Sequence, residues 1–184
     1  MTANPSSYVR RDEFLPFSPP DIGEEEIAAV VDTLRSGWVT SGPKSRQFAQ
    51  DFAAFVNAEA GLGVNSCTGG LHIALATLGI GAGDEVITTT MTFTSSVNVI
   101  EHVGAKPVLV DVEPDTLNMN PERVAEAITE RTKAIMPVHY SGHPVDMSAI
   151  KALADEHDLY IIEDAAHSVP AQFEGQMIGS IGDL

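Results

Sequence analysis

The hydrophobic pattern of the chain changes its period part-way along. From Gly23 onward the apolar residues Ile27, Val30, Val31 and Leu34 recur at helical spacing. Glu24, Glu25 and Glu26 precede them, where a helix N-terminus favours negative charge, and Gly37 closes the stretch. After the loop Trp38–Pro43, Pro43 can open a second helix carrying Phe48, Phe52 and Phe55. From Leu62 the rhythm becomes short apolar, β-branched runs alternating with helical stretches. The runs predict strands at Leu62–Ser66, Glu85–Thr89, Pro107–Val110, Lys133–Val138 and Leu159–Glu163, with helices near 69–79, 95–103, 121–128 and 146–157. Runs without a polar face suit strands covered on both sides. The alternation predicts an α/β fold, a mostly parallel sheet with flanking helices and right-handed crossovers. Residues 1–20, with Pro16, Pro19 and Pro20, read as an extended arm, and 21–184 as one large domain.

Charge narrows the partners. The 184 residues hold 26 acidic and 10 basic side chains, a formal charge of −16, which repels phosphate backbones and anionic lipid. Nucleic acid and membrane are therefore not expected as partners, and no apolar run approaches the ~20 residues of a membrane span. The opening residues lack the pattern of a secretory signal, and a lone Cys67 suits a reducing compartment, so a cytoplasmic location is expected.

In an open parallel sheet, ligands sit beyond the carboxyl ends of the strands. Three stretches there can carry chemistry. Ser66-Cys-Thr-Gly-Gly70 runs straight into a helical pattern, where small residues expose backbone N–H groups to an anion and Thr68 adds a hydroxyl; the glycines could equally be steric. Phe93 follows the second predicted strand and could stack on a flat ring or cover the core. Asp164 follows a buried apolar strand, a costly place for a carboxylate unless it meets a cation or strong donors. A pyridinium nitrogen would be such a cation, with His167 in reach of the ring's hydroxyl edge. A capping Asp and a surface His are the plainer alternative. Taken together, the three describe one ligand: a phosphate at 66–70, a ring against Phe93 and a ring nitrogen at Asp164.

The stretches Gly37-Trp-Val-Thr-Ser-Gly-Pro-Lys44, Ser66-Cys-Thr-Gly-Gly-Leu-His-Ile-Ala-Leu75, Gly83-Asp-Glu-Val-Ile-Thr88 and Thr92-Phe-Thr-Ser95 resemble those of the DegT-type sugar aminotransferases. So do Pro137-Val-His-Tyr-Ser-Gly-His-Pro-Val-Asp-Met147 and Ile162-Glu-Asp-Ala-Ala-His167. The resemblance runs from about Phe14 to Leu184. It implies the large domain of a fold type I enzyme dependent on pyridoxal phosphate (PLP), a homodimer that moves an amino group, usually from glutamate, to a keto-sugar linked to a nucleotide. The products expected are sugars for cell-surface polysaccharide, lipid A or secondary metabolites. Carried over, Thr68, Gly69 and the neighbouring backbone hold the cofactor phosphate. Phe93 stacks on the ring, Asp164 pairs with its nitrogen, and His167 sits near its hydroxyl. Thr40 and Ser41, in the Gly37–Pro43 loop, are expected near a substrate or a partner subunit's site. Phe14-Leu-Pro-Phe-Ser18, Trp38-Val-Thr40 and Pro137-Val-His-Tyr140 look most like members making 4-amino-4-deoxy-arabinose nucleotides.

The resemblance also implies a Schiff-base lysine just beyond Leu184, so the domain reads as incomplete, no catalytic residue is expected within the segment, and the segment alone is expected to be inactive. Two further strands are implied between the first predicted strand and the fifth. Lys44 sits in a loop before a helix, Lys106 and Lys133 precede strands and Lys151 lies within a helix, so none follows a strand at the cofactor edge. The alternatives are a PLP-dependent nucleotide-sugar dehydratase, with histidine in place of that lysine, and a non-catalytic regulatory relative binding PLP or sugar. A metal site of His139, His143, Asp164 and His167 is disfavoured by Ser141, Gly142 and Pro144, which break the helix it would need. A dinucleotide site is disfavoured by the absence of G-x-G-x-x-G after the first strand.

Overall fold

The chain is described by a computed structural model covering residues 11–16 and 18–184. It divides into two compact units, 1–44 and 45–184. Residues 1–10 and 17, eleven of the twenty residues of the expected arm, lie outside the described residues; the described part of 11–20 forms no helix or strand.

In the first unit, helix α1 (Glu24–Ser36) begins at Gly23, whose N–H donates to the Glu26 carboxylate at 2.7 Å, and ends at Gly37 with φ +76°. The helix forms as its period predicts, yet Ile27, Val30 and Leu34 are exposed and no residue of α1 is buried. The turn 37–42 leads to α2 (Pro43–Val56), which opens on Pro43; from Ser45 onward it belongs to the second unit, where it buries Ala53 and Val56.

In the second unit, α3 (Cys67–Thr77) precedes a four-stranded parallel sheet in the order β2-β1-β3-β4. Its strands are β1 (Glu85–Thr89), β2 (Lys106–Val110), β3 (Thr132–Met136) and β4 (Tyr160–Ile161). The crossovers are α4 (Ser95–His102), α5 (Pro121–Ala127) and α6 (Met147–His157). Alternation along the strands sorts the core to the two faces. Ile87, Ile135 and Ile161 pack with Val124, Met147 and Ile150 on one side, and Val86, Ala134 and Ile162 with Leu71, Leu75, Val99 and Ile100 on the other. The result is the α/β sandwich that the alternating runs predict. At the amino end of the sheet, buried Glu85 accepts from Thr129 Oγ1 at 2.6 Å, Arg131 Nη2 at 2.8 Å and Lys106 Nζ at 3.1 Å. These bonds, Thr129's first and then those of the two cations, draw its carboxyl down to about 2.

Several expectations are corrected. Leu62–Ser66 is not a strand: Leu62 and Val64 are 73% and 42% exposed, and no described strand offers the segment a ladder partner. It instead leaves α2 past Gly61, whose added Cβ would lie 2.6 Å from the Ala49 carbonyl oxygen, an approach only glycine permits. Because Ser66 caps it, α3 starts at Cys67, ahead of the expected 69. β2 is an edge strand and only its last residue is buried, so it lacks the two-sided cover its composition suggests. Lys106 and Lys133 lie inside strands rather than before them. β4 is two residues long, because beyond Ile161 the chain pairs irregularly, through Val138 and Asp164. On the other side of β4, Leu184 N–H donates to Ile161 O at 3.3 Å and Glu163 N–H to Leu184 O at 2.9 Å, the pattern of a parallel pair between Leu184 and Ile162. The hairpin of β5 (Gln172–Phe173) and β6 (Gln176–Met177) is unanticipated.

Candidate active site

Three chain segments converge where the sheet's carboxyl ends meet the amino ends of α3 and α4, and Asp164 is their common point. Its main chain sits between strand ends: its N–H donates to Pro137 O at 2.9 Å and its carbonyl accepts from His139 N–H at 3.2 Å. Its side chain, on a residue only 4% exposed, reaches both helices. Ser96, in the first turn of α4, donates from Oγ to Asp164 Oδ2 at 2.7 Å; Cys67, the first residue of α3, sets its thiol 3.6 Å from Oδ1. Ala166 N–H makes a long contact to Oδ1, at 3.4 Å. All these donors are neutral, and among the described residues no cationic side chain lies within ion-pair distance of this carboxylate. A buried anion held only by neutral donors is suited to a cationic ligand group.

The sequence around Asp164 supplies the rest. At α3, Ser66 Oγ accepts from Gly69 N–H at 3.1 Å, while the N–H groups of Cys67 and Thr68 meet no acceptor among the described residues. Thr68 and Gly69 are half-buried there, beside the open start of the helix, a setting for an anion. Phe93, two residues before α4, is 76% exposed, so it is not a lid on the core; its face is free for a flat ligand. His167 lies exposed in the turn after Asp164. The structure thus brings Thr68 and Gly69, beside Cys67, to the same sheet edge as Asp164, with Phe93 three residues before Ser96. Thr40 and Ser41 lie in the exposed bend between α1 and α2, in the first unit.

The Cys67 thiol is pushed up to about 11, first by burial and then by the charge and hydrogen bond of Asp164, so it is a poor nucleophile at neutral pH. A cavity of about 530 Å³ lined by Lys133, Lys151, Asp155, Asp158 and Tyr160 lies elsewhere, at the start of β4 and along α6, and shares no residue with the Asp164 cluster.

Two buried groups behind the site escape a reading of the sequence. Glu163 and His139 lie 24 positions apart, and only folding joins them. His139 Nδ1 accepts from Val145 N–H at 3.1 Å, which leaves the ring proton on Nε2, 3.2 Å from Glu163 Oε2. The same carboxylate accepts from Gly179 N–H at 3.0 Å, Ile181 N–H at 2.8 Å and Gly182 N–H at 2.7 Å. Burial pushes the Glu163 carboxyl up, but the bonds from His139 and the three amides outweigh it and hold the group below its ordinary value. Adjacent carboxylates thus divide the work, Glu163 turned into the fold and Asp164 toward the helix ends. A third missed feature is Thr92, whose Oγ1 lies 2.7 Å from Ser96 Oγ; the hydroxyl cluster in Thr92-Phe-Thr-Ser-Ser96 was the available signal.

Known proteins share this architecture. The spore coat polysaccharide biosynthesis protein SpsC of Bacillus subtilis is 52% identical over 174 residues, 95% of this chain and 45% of its own length. An aminotransferase of Psychrobacter cryohalolentis superposes with a TM-score of 0.88 at 43% identity, over 91% of this chain and 43% of its own. Spr1654 of Streptococcus pneumoniae, described as a sugar aminotransferase and known in PLP, PMP and apo forms, superposes at 0.88 and 40% identity, over 92% of this chain. In the PMP form the match spans 46% of that protein. The chain thus spans about half the length of the relatives it matches. Residues 20–184 match the DegT/DnrJ/EryC1/StrS aminotransferase family, and the chain belongs to it.

Proposed function

We propose that this chain is the cofactor-binding part of a PLP-dependent enzyme that moves an amino group from glutamate to the keto group of a nucleotide-linked sugar. The observation that carries this reading is Asp164, a carboxylate 4% exposed with neutral donors alone, at the edge where the start of α3 and the face of Phe93 are open. The residues fit the cofactor. The free N–H groups of Cys67 and Thr68, with the Thr68 hydroxyl and room at Gly69, would hold its phosphate. Phe93 would cover one face of its ring, Asp164 would keep the proton on the ring nitrogen, and His167 would lie near the ring hydroxyl. Bound there, the cofactor supplies a protonated pyridine ring that accepts electrons from the substrate carbon.

SpsC acts in spore coat polysaccharide biosynthesis, which favours a sugar destined for a cell-surface polysaccharide. We place the working enzyme in the cytoplasm as a homodimer, with Thr40 and Ser41 near the partner's substrate. The test is turnover of the full-length, PLP-loaded protein with glutamate and a nucleotide keto-sugar. Asp164→Ala is expected to reduce it about a hundredfold or more, the scale of losing one preorganised charge-stabilising group. Near-normal turnover in that variant would overturn the assignment.

A further inference from the structure

We propose that Ser96, backed by Thr92, is a positioning residue that aims Asp164 at the cofactor's ring nitrogen; the inference rests on the functional reading above. Ser96 is fully buried, and its Oγ has three oxygen neighbours: Asp164 Oδ2 at 2.7 Å, Thr92 Oγ1 at 2.7 Å and Phe93 O at 3.3 Å. A hydroxyl has one proton to give. The short contact to the carboxylate is the stronger acceptor, so Ser96 donates there and not to Phe93 O. The lone pairs of Ser96 then face Thr92, whose hydroxyl donates in turn. The chain of protons therefore runs one way, from Thr92 to Ser96 to Asp164.

This direction divides the two carboxylate oxygens. Oδ2 is engaged by a strong, short bond. Oδ1 has only the thiol, a weak donor, at 3.6 Å and the Ala166 amide at 3.4 Å, long for an N–H donor. Oδ1 is therefore the oxygen with capacity left for a ring N–H. The same five-residue run Thr92–Ser96 also carries Phe93. One segment thus sets both the face of the ring and the angle at which its nitrogen is met.

The experiment loads the protein with PLP labelled with ¹⁵N in the ring. It reads the nitrogen's NMR shift against pH, alongside cofactor affinity by titration. In the unmodified protein the nitrogen should stay protonated well above the range of free PLP. In Ser96→Ala it should lose its proton at lower pH and affinity should fall about tenfold, the scale of one lost charge-assisted bond. Ser96→Thr should restore both, and Thr92→Val should shift both in the same direction by less. An unchanged nitrogen pH profile in Ser96→Ala overturns the proposal while leaving the Asp164 assignment standing. Should Ser96→Ala not fold, an unchanged profile in Thr92→Val overturns it instead. An unprotonated nitrogen, or no binding, in the unmodified protein overturns the functional reading and this inference with it.

Discussion

Replacing Glu163 by Gln changes one atom's chemistry and almost no volume, yet the surroundings permit it no comfortable orientation. Oε1 accepts two backbone N–H groups, those of Ile181 and Gly182; Oε2 accepts Gly179 N–H and His139 Nε2–H. Whichever way the amide is turned, its NH₂ end confronts two donors that lose their acceptor. His139 cannot compensate by shifting its proton to Nδ1, because Val145 N–H already points there. At ~1–3 kcal/mol for each buried donor left unsatisfied, Glu163→Gln should cost about 2–6 kcal/mol, a large part of the ~5–15 kcal/mol of an ordinary domain. Urea unfolding followed by circular dichroism measures the loss, and hydrogen exchange at 179–182 should localise it.

The pH dependence has a definite sign. Glu163 is held below its ordinary value, so its contribution is complete above the unfolded carboxylate range of ~4.3 and fades as pH falls below it. The Gln variant should lack that component. A loss under about 1 kcal/mol would mean that the turn relaxes freely, and would refute the clamp argument.

Two other outcomes follow from the same reasoning. Glu85, held at about 2 by Thr129, Arg131 and Lys106, should stabilise the fold fully above ~4.3 and lose that effect as pH falls toward its folded value. Thermal unfolding of Glu85→Gln against the unmodified chain should therefore differ at pH 6 and converge near pH 2; a pH-independent gap would contradict it. Cys67, at about 11, should react with a disulfide reagent at pH 8 about tenfold more slowly than a free cysteine, since scarcity of thiolate outweighs its greater nucleophilicity, and Asp164→Asn should speed the reaction. A rate equal to that of free cysteine would show that Asp164 does not act on the thiol.

What the sequence discloses follows the range of the interactions involved. α1 is legible because its three glutamates and Gly37 are local signals, and β1 and β3 because their burial depends on composition. Asp164 stands out because a carboxylate ending an apolar run is an anomaly in any fold. Leu62–Ser66 misleads for the converse reason: composition suits a strand, but a strand exists only with a neighbour to bond. The Glu163–His139 pair joins residues 24 apart, and nothing local marks His139 as the partner of Glu163. The hairpin was within reach. Glu174 and Gly175, at φ +48° and +82°, make the two-residue turn that Phe-Glu-Gly-Gln encodes.

The clamp on the turn 179–182 touches it only through main-chain N–H groups. It therefore senses the path of the backbone and is blind to most of the side chains along it. Drift at Ser180, whose hydroxyl meets only Met177 O, should pass unnoticed. Length and curvature should not: Gly179 sits at φ +88°, and a Cβ at Gly182 would lie 2.8 Å from Ile161 O. One inserted residue would swing the amides away from Glu163 and disturb the peptide it shares with Asp164. For anyone grafting this loop between relatives, equal-length exchanges that keep both glycines are the tolerable ones, and insertions or deletions are the costly ones.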